Sequence, residues 1–187
     1  FVGYENFEGY GTGTTLADST GTSVDGWTNG ATALSFAATV EESGGDKYLL
    51  QNKGGAAGGY ASVFQGGSGF GATSANDGFQ TLFFHFMIDS VEGTSGVAGF
   101  GVAANAANTD PTSKSGFTVD GAGNILDPSN TATAAIQLDT WYNAWFVVDH
   151  RGAAGGSEAR LYIQSDTDTN FVAQTLVDDT FYKNVGA

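Results

Sequence analysis

The chain has 187 residues, no cysteine, six basic and 20 acidic side chains, and a formal net charge of −14. This length suits one well-cored domain, and the lack of cysteine excludes disulfides and thiolate metal sites. The scarcity of Lys and Arg argues against nucleic acid as a partner, and no apolar run is long enough for membrane insertion.

Short β-like runs separated by turn residues follow one another along the chain. The runs lie at 34–40, 48–51, 61–65, 81–89, 97–103, 117–119, 136–138, 141–149, 159–164 and 171–176. Clusters of Gly, Asp, Asn and Ser that favour turns lie at 43–46, 54–59, 120–124, 152–157 and 165–170. No long helical pattern interrupts them, so this spacing predicts an all-β sandwich or barrel.

The two longest runs, TLFFHFMID at 81–89 and WYNAWFVVD at 141–149, each have one wholly apolar face and one mixed face. The mixed faces hold Phe83 and His85 on the first run, and Asn143 and Trp145 on the second. A strand that is apolar on both sides is typically central in its sheet. The mixed face suits the concave side of a curved sheet, but its rings would also fit the core, and both interpretations stay open.

Three segments resemble a known family: YENFEGYGTGTTL followed by GW, QTLFFHFMID followed by VAGFGVA, and DTWYNAWFVVD followed by ARLYI. Together they resemble the LamG-like, concanavalin A-like jelly-roll domains of secreted bacterial proteins, over nearly the whole chain. The resemblance implies one domain over residues 1–187, built as a two-sheet antiparallel jelly-roll β-sandwich. It also implies a location outside a bacterial cell or on its surface. Such domains include glycan-binding modules, adhesion domains, glycanases and polysaccharide lyases, so fold alone does not choose a function.

The chain departs from this family at its end, where FYKNVGA at 181–187 is not followed by the usual last strand. The expected consequence is an open sheet edge near residues 4–10. An open edge can pair with another chain, which would produce a homo-oligomer. A self-assembling structural subunit of an extracellular filament or surface layer is therefore the alternative function.

Catalytic patterns are absent from the sequence. The Glu-x-Asp-x-x-Glu strand of the family's glycanases does not occur, and Glu41 and Glu42 sit at a strand end beside a turn. GSEARLY at 156–162 is only loosely similar to the arginine strand of jelly-roll lyases, whose Gln-Ile-His strand is missing. We therefore expect the chain not to be an enzyme, with a lyase or hydrolase as a distant third possibility.

A metal site is suggested by DTDTN at 166–170, which places oxygen ligands at alternate positions. Asp166, Asp168 and Asn170 would bind Ca²⁺, and the family resemblance implies such a structural calcium. The segment is not an EF-hand, because Phe171 stands where that loop requires glycine. An Asx-stabilised turn without metal is the other interpretation.

The mixed faces of the two long strands suggest a sugar platform. Glycan binding uses aromatic rings against the apolar faces of sugars, each worth on the order of 1 kcal/mol, and polar side chains for hydroxyls. Phe83, His85, Asn143 and Trp145 supply both kinds of group. The main prediction is a non-catalytic glycan-binding or adhesion module of an exported protein, with a polysaccharide or cell-surface glycan as its partner.

Overall fold

The fold is taken from a computed structural model, which describes residues 6–29, 35–54, 63–65, 79–91, 97–102, 115–126, 131–149, 158–168 and 175–178. All regular structure in these residues is β, and every strand pairing is antiparallel. The strands are β1 (Thr15–Asp18), β2 (Trp27–Asn29), β3 (Ser35–Ser43), β4 (Asp46–Gly54), β5 (Val63–Gln65), β6 (Phe79–Phe86), β7 (Val97–Val102), β8 (Ser115–Asp120), β9 (Asn124–Leu126), β10 (Ala132–Ala135), β11 (Tyr142–Asp149), β12 (Glu158–Ser165) and β13 (Thr175–Asp178). The predicted all-β class is therefore confirmed. None of the described residues lies in a helix that could cross a membrane.

The chain forms two compact units. Unit 1 comprises Phe1–Gly69 and Asn105–Thr109, and unit 2 comprises Phe70–Ala104 and Asp110–Ala187. Strands β1 to β5 belong to unit 1, and strands β6 to β13 belong to unit 2. The single-domain organisation over residues 1–187 stays a prediction.

Unit 1 contains a three-stranded sheet in the order β1-β3-β4 and the separate pair β2-β5. Strands β3 and β4 form a hairpin in which Ser43 pairs with Asp46, and the intervening Gly44 and Gly45 have φ angles of 65° and 96°. Two consecutive left-handed residues are what a tight type I′ turn requires, and glycine adopts them without a steric penalty. The turn predicted at 43–46 is therefore confirmed. The buried apolar side chains of this unit are Leu16, Ala17, Phe36, Ala38 and Val40.

Unit 2 contains two four-stranded sheets, with strand orders β13-β12-β11-β6 and β10-β9-β8-β7. Both sheets contribute to one hydrophobic core, because their strands carry an apolar residue at every second position on the inner side. The buried members of this core are Phe86, Ile88, Phe117, Val119, Ile125, Ile136, Tyr142, Ala144, Phe146, Leu161 and Ile163. The two sheets of unit 2 thus bury their apolar faces together.

Strand β11 is central in its sheet, as the sequence predicts. All eight of its residues pair with β12 on one side and with β6 on the other, without a register shift. Tyr142 and Phe146 point into the core, which confirms the apolar face predicted for this strand. The two longest predicted strands therefore lie side by side, and the faces that oppose the core adjoin each other.

The sequence did not predict β1, β2, β9 and β10, and the strand predicted at 136–138 is wrong. Strands β9 and β10 read NIL and ATAA, and their length and alanine content give little β signal. Ile136 is buried in the core without belonging to a strand, and its N–H donates to the carbonyl oxygen of Gly123 at 2.8 Å. The short apolar run around Ile136 therefore reflects the burial of one residue beside a turn, and not a strand.

Candidate functional site

The face of β6, β11 and β12 that points away from the core combines aromatic and polar side chains, and we call it the outer face. Antiparallel register places the residues of the three strands in rows, with paired side chains as direct neighbours. The two central rows are Phe83–Trp145–Tyr162 and His85–Asn143–Gln164. The four residues predicted to bind a ligand, Phe83, His85, Asn143 and Trp145, are therefore neighbours in adjacent rows.

The aromatic row exposes one of its rings. The Phe83 side chain is 46% exposed, and its ring centroid lies 5.5 Å from that of Trp145 with an interplanar angle of 51°. Trp145 and Tyr162 are half-buried. Among the described residues only Phe83 and Leu50, which belongs to unit 1, are large hydrophobic residues with this degree of exposure. The row therefore offers an apolar surface that water can reach.

The polar row is held by Asp166, which follows β12 in the turn at 165–168. His85 Nε2 lies 2.8 Å from Asp166 Oδ2, and Asn143 Nδ2 donates to Asp166 Oδ1 at 2.6 Å. The imidazole of His85 also stacks on Trp141, with ring centroids 4.6 Å apart and an interplanar angle of 30°. The side chains of His85 and Asp166 remain 47% and 40% exposed. This cluster is fixed in geometry and still open to solvent.

The hydrogen bonds from His85 and Asn143 to Asp166 determine which atoms of these two side chains remain for other contacts. An ionised carboxylate accepts hydrogen bonds and cannot donate them. His85 must therefore carry a proton on Nε2, and Asn143 must turn its amide nitrogen toward Asp166. Both oxygens of Asp166 are already engaged by side chains of the outer face.

The predicted calcium ligands fall into two groups. Asp166 and Asp168 lie in the turn that follows β12, where the Asp168 N–H donates to the Ser165 carbonyl oxygen at 2.9 Å, and Asn170 lies outside the described residues. A calcium ion bound by Asp166 would have to compete with the hydrogen bonds that His85 and the Asn143 side-chain amide make to its carboxylate oxygens. The described part of the chain contains no group of three His, Cys, Asp or Glu side chains placed to hold a metal. Calcium binding stays a prediction.

The segment proposed as an open edge, residues 4–10, is described from residue 6 onward. This part forms turns, in which Phe7 has a φ angle of 62° and the Tyr10 N–H donates to the Phe7 carbonyl oxygen at 3.1 Å. The Lys47 N–H donates to Glu8 Oε1 at 3.0 Å, and Lys47 Nζ donates to the Tyr10 carbonyl oxygen at 2.7 Å. The described part is therefore a turn attached to β4, and pairing between copies stays a prediction.

Two other carboxyl groups are strongly hydrogen-bonded, but within their own turns. Hydrogen bonds led by the Thr22 backbone N–H lower the pKa of Asp18 from 3.8 to about 2. A hydrogen bond from the Asn124 side chain is the main cause that lowers the pKa of Asp120. Each carboxylate stabilises a turn by accepting from residues two and four positions ahead. Their geometry is structural and presents no reactive group.

The sequence prediction missed Tyr162 and Trp141 as members of the site and gave Asp166 a different role. Tyr162 could have been found, because the glycine cluster at 152–157 favours a turn in the sequence, and a hairpin centred there predicts that Tyr162 pairs with Trp145, as it does. Trp141 directly precedes β11, and nothing in the sequence shows that it stacks on His85.

Comparison with protein-family models, curated proteins and solved structures finds no match for this chain. The residues of the outer face are therefore the basis for a functional proposal. Their arrangement can bind a ligand that has both apolar and hydrogen-bonding surface.

Proposed function

We propose that this chain is a non-catalytic glycan-binding or adhesion module of an exported or cell-surface protein, with its ligand on the outer face. The observation that carries the proposal is the exposed ring of Phe83 beside Trp145, one row away from His85 and Asn143. Sugars present apolar C–H faces and hydroxyl groups side by side, and this surface complements both. The jelly-roll topology implied by the family resemblance belongs to the same proposal.

The size of the outer face indicates weak binding to a single sugar ring. One aromatic contact contributes on the order of 1 kcal/mol, and each net hydrogen bond about 0.5–1.5 kcal/mol. One contact and two hydrogen bonds therefore give roughly 2–4 kcal/mol, which corresponds to a dissociation constant of about 1 mM or weaker. A polysaccharide would bind better than a monosaccharide, because its repeated units raise the effective concentration.

The proposal is tested by titrating the ¹⁵N-labelled chain with a panel of soluble oligosaccharides and following amide shifts by NMR. We expect at least one glycan to shift amides of β6, β11 and β12, and Trp145→Ala to weaken that binding about fivefold or more, the equivalent of one lost ring contact. Leu50→Ala is the matched control, since Leu50 is also exposed, at 39%, but lies in unit 1. Absence of any glycan-induced shift, or equal loss in both variants, would refute the proposal.

The alternative of a self-assembling subunit has one supporting observation. Strand β4 has nine residues, forms an edge of the described three-stranded sheet and carries the exposed Leu50. Edge strands of this length can add a strand from another chain, although Lys47 within β4 opposes such pairing. Light scattering over a range of protein concentrations tests this alternative, which a concentration-independent monomer would contradict.

A further inference from the structure

We infer that the outer face selects uncharged saccharides over acidic ones, because Asp166 accepts a hydrogen bond from both His85 and Asn143 and places a negative charge beside the groups that would meet the ligand. This inference rests on the proposed glycan-binding function. It adds the chemical class of the sugar and assigns Asp166 as the residue that sets this class. Asp166 acts through His85 and Asn143, so it is a positioning residue of the site.

The hydrogen bonds of the polar cluster run from His85 and Asn143 to Asp166. His85 gives its Nε2 proton to Asp166 Oδ2, which leaves the lone pair of Nδ1 when the ring is neutral. Asn143 gives one amide proton to Asp166 Oδ1, which leaves its Oδ1 acceptor and one further amide proton. Sugar hydroxyls can donate to both acceptors. A carboxylate or sulfate group has no proton to donate, and it would face these lone pairs with its own.

Charge also disfavours acidic sugars. The Asp166 side chain is 40% exposed and contacts both His85 and Asn143, and the whole chain has a net charge of −14. An anionic sugar that reached His85 and Asn143 would therefore approach a fixed like charge. Among the described residues of this face, Arg160 carries a positive charge; it pairs with Val147 and lies four residues from Gln164 along β12. Four residues of strand correspond to about 13 Å, so Arg160 is too far away to offset Asp166.

The cluster of His85, Asn143 and Asp166 is held in place before a ligand arrives. His85 is fixed on one side by Asp166 and on one ring face by Trp141. Asn143 is fixed by Asp166 and by its position on the central strand. A ligand therefore meets an imidazole and an amide whose directions are already set, and turning either ring or amide over to offer the proton now bound to Asp166 would break that hydrogen bond.

The test uses hexasaccharides in pairs that share ring and linkage and differ only at C6, with a hydroxymethyl group in one and a carboxylate in the other. Binding is measured by NMR titration at low salt and at about pH 8.5. We expect a neutral hexamer to bind and its acidic counterpart to bind at least about fivefold more weakly. Equal or tighter binding of the acidic member would overturn the inference while leaving the proposed function in place. Failure of every hexamer to bind would overturn both.

Two variants separate the role of Asp166 from a general effect on folding. Asp166→Asn removes the charge, and we expect the ratio of neutral to acidic binding to fall toward one. Arg160→Gln changes a charge on the same face about 13 Å away and should leave that ratio unchanged. An unchanged ratio in Asp166→Asn would overturn the inference.

The side-chain ¹⁵N shifts of His85 give a readout that does not depend on any ligand. In the unmodified chain at about pH 8.5 we expect the tautomer with the proton on Nε2, since Asp166 accepts from that atom. The Nδ1–H tautomer would place a donor toward the ligand and would contradict the inference.

Discussion

The two faces of the β6–β11 pair can be distinguished by removing one phenylalanine from each. Phe146 on β11 is 1% exposed and lies in the core of unit 2, whereas Phe83 on β6 is 46% exposed and contacts Trp145. We expect Phe146→Ala to lower the free energy of unfolding far more than Phe83→Ala does. The comparison tests whether the outer face is open in solution, which the glycan proposal requires.

The expected magnitudes follow from the burial of each ring. A Phe→Ala change in a filled core costs about 3–5 kcal/mol, because the lost transfer energy is joined by a cavity. Burying a whole Phe side chain is worth about 1.5–3 kcal/mol, so the half-exposed ring of Phe83 contributes about 1 kcal/mol by transfer. Its contact with Trp145 adds about 0.5–1.5 kcal/mol. Phe83→Ala should therefore cost about 1.5–2.5 kcal/mol.

Urea unfolding followed by circular dichroism and tryptophan fluorescence measures both values. The midpoint of Phe146→Ala should fall at clearly lower urea than that of Phe83→Ala, with similar slopes if the denatured states are alike. Equal losses of about 3–5 kcal/mol in the two variants would refute the reasoning. Phe83 would then be covered in solution, and the outer face could not be a binding surface.

Two further predictions concern turns. The lowered pKa of Asp18, about 2 against an ordinary 3.8, means that its carboxylate stabilises the fold above pH 3.8 and that this contribution is lost as the pH falls through about 2. Asp18→Asn should therefore lower the melting temperature at neutral pH and match the unmodified chain below about pH 2. A lower melting temperature that persists below that pH would contradict the role of the Thr22 hydrogen bonds. Gly123→Ala should cost about 1–3 kcal/mol in urea unfolding, because Gly123 has a φ angle of 82° and a Cβ would meet the Ile136 carbonyl oxygen. Gly9→Ala, where a Cβ meets nothing within 4 Å, is the control, and an equal loss there would remove this explanation.

The faces of the long strands could be predicted from the sequence, because side-chain direction alternates with a period of two. That rule correctly placed Phe146 in the core and Trp145 on the other side. The pairing of Trp145 with Tyr162 was within reach, since their strands follow each other in the chain with only a short, glycine-rich stretch of sequence between them. The pairing of Trp145 with Phe83 was not, because β7 to β10 intervene and no local pattern fixes the register of strands so far apart.

The role of Asp166 could not be predicted from the sequence of its turn alone. Alternate oxygen ligands at 166–170 predicted a metal site, and that pattern depends only on neighbours in sequence. The structure adds two long-range partners, His85 and Asn143, that take both carboxylate oxygens. A histidine on a strand and an acid in a distant turn carry no joint signal, so the polar cluster could not be predicted.

The outer face gains its rigidity from the core on the opposite side of the same strands. Strand β11 is paired along all eight residues with both neighbours, and its inner side chains are locked in the packing of unit 2. Side chains that alternate with these, such as Asn143 and Trp145, therefore stand on a backbone that has little freedom. A ligand that binds here orders few groups on binding, so more of its contact energy remains as affinity. For a surface with one exposed ring and two fixed acceptors, this preorganisation decides whether binding can be measured at all.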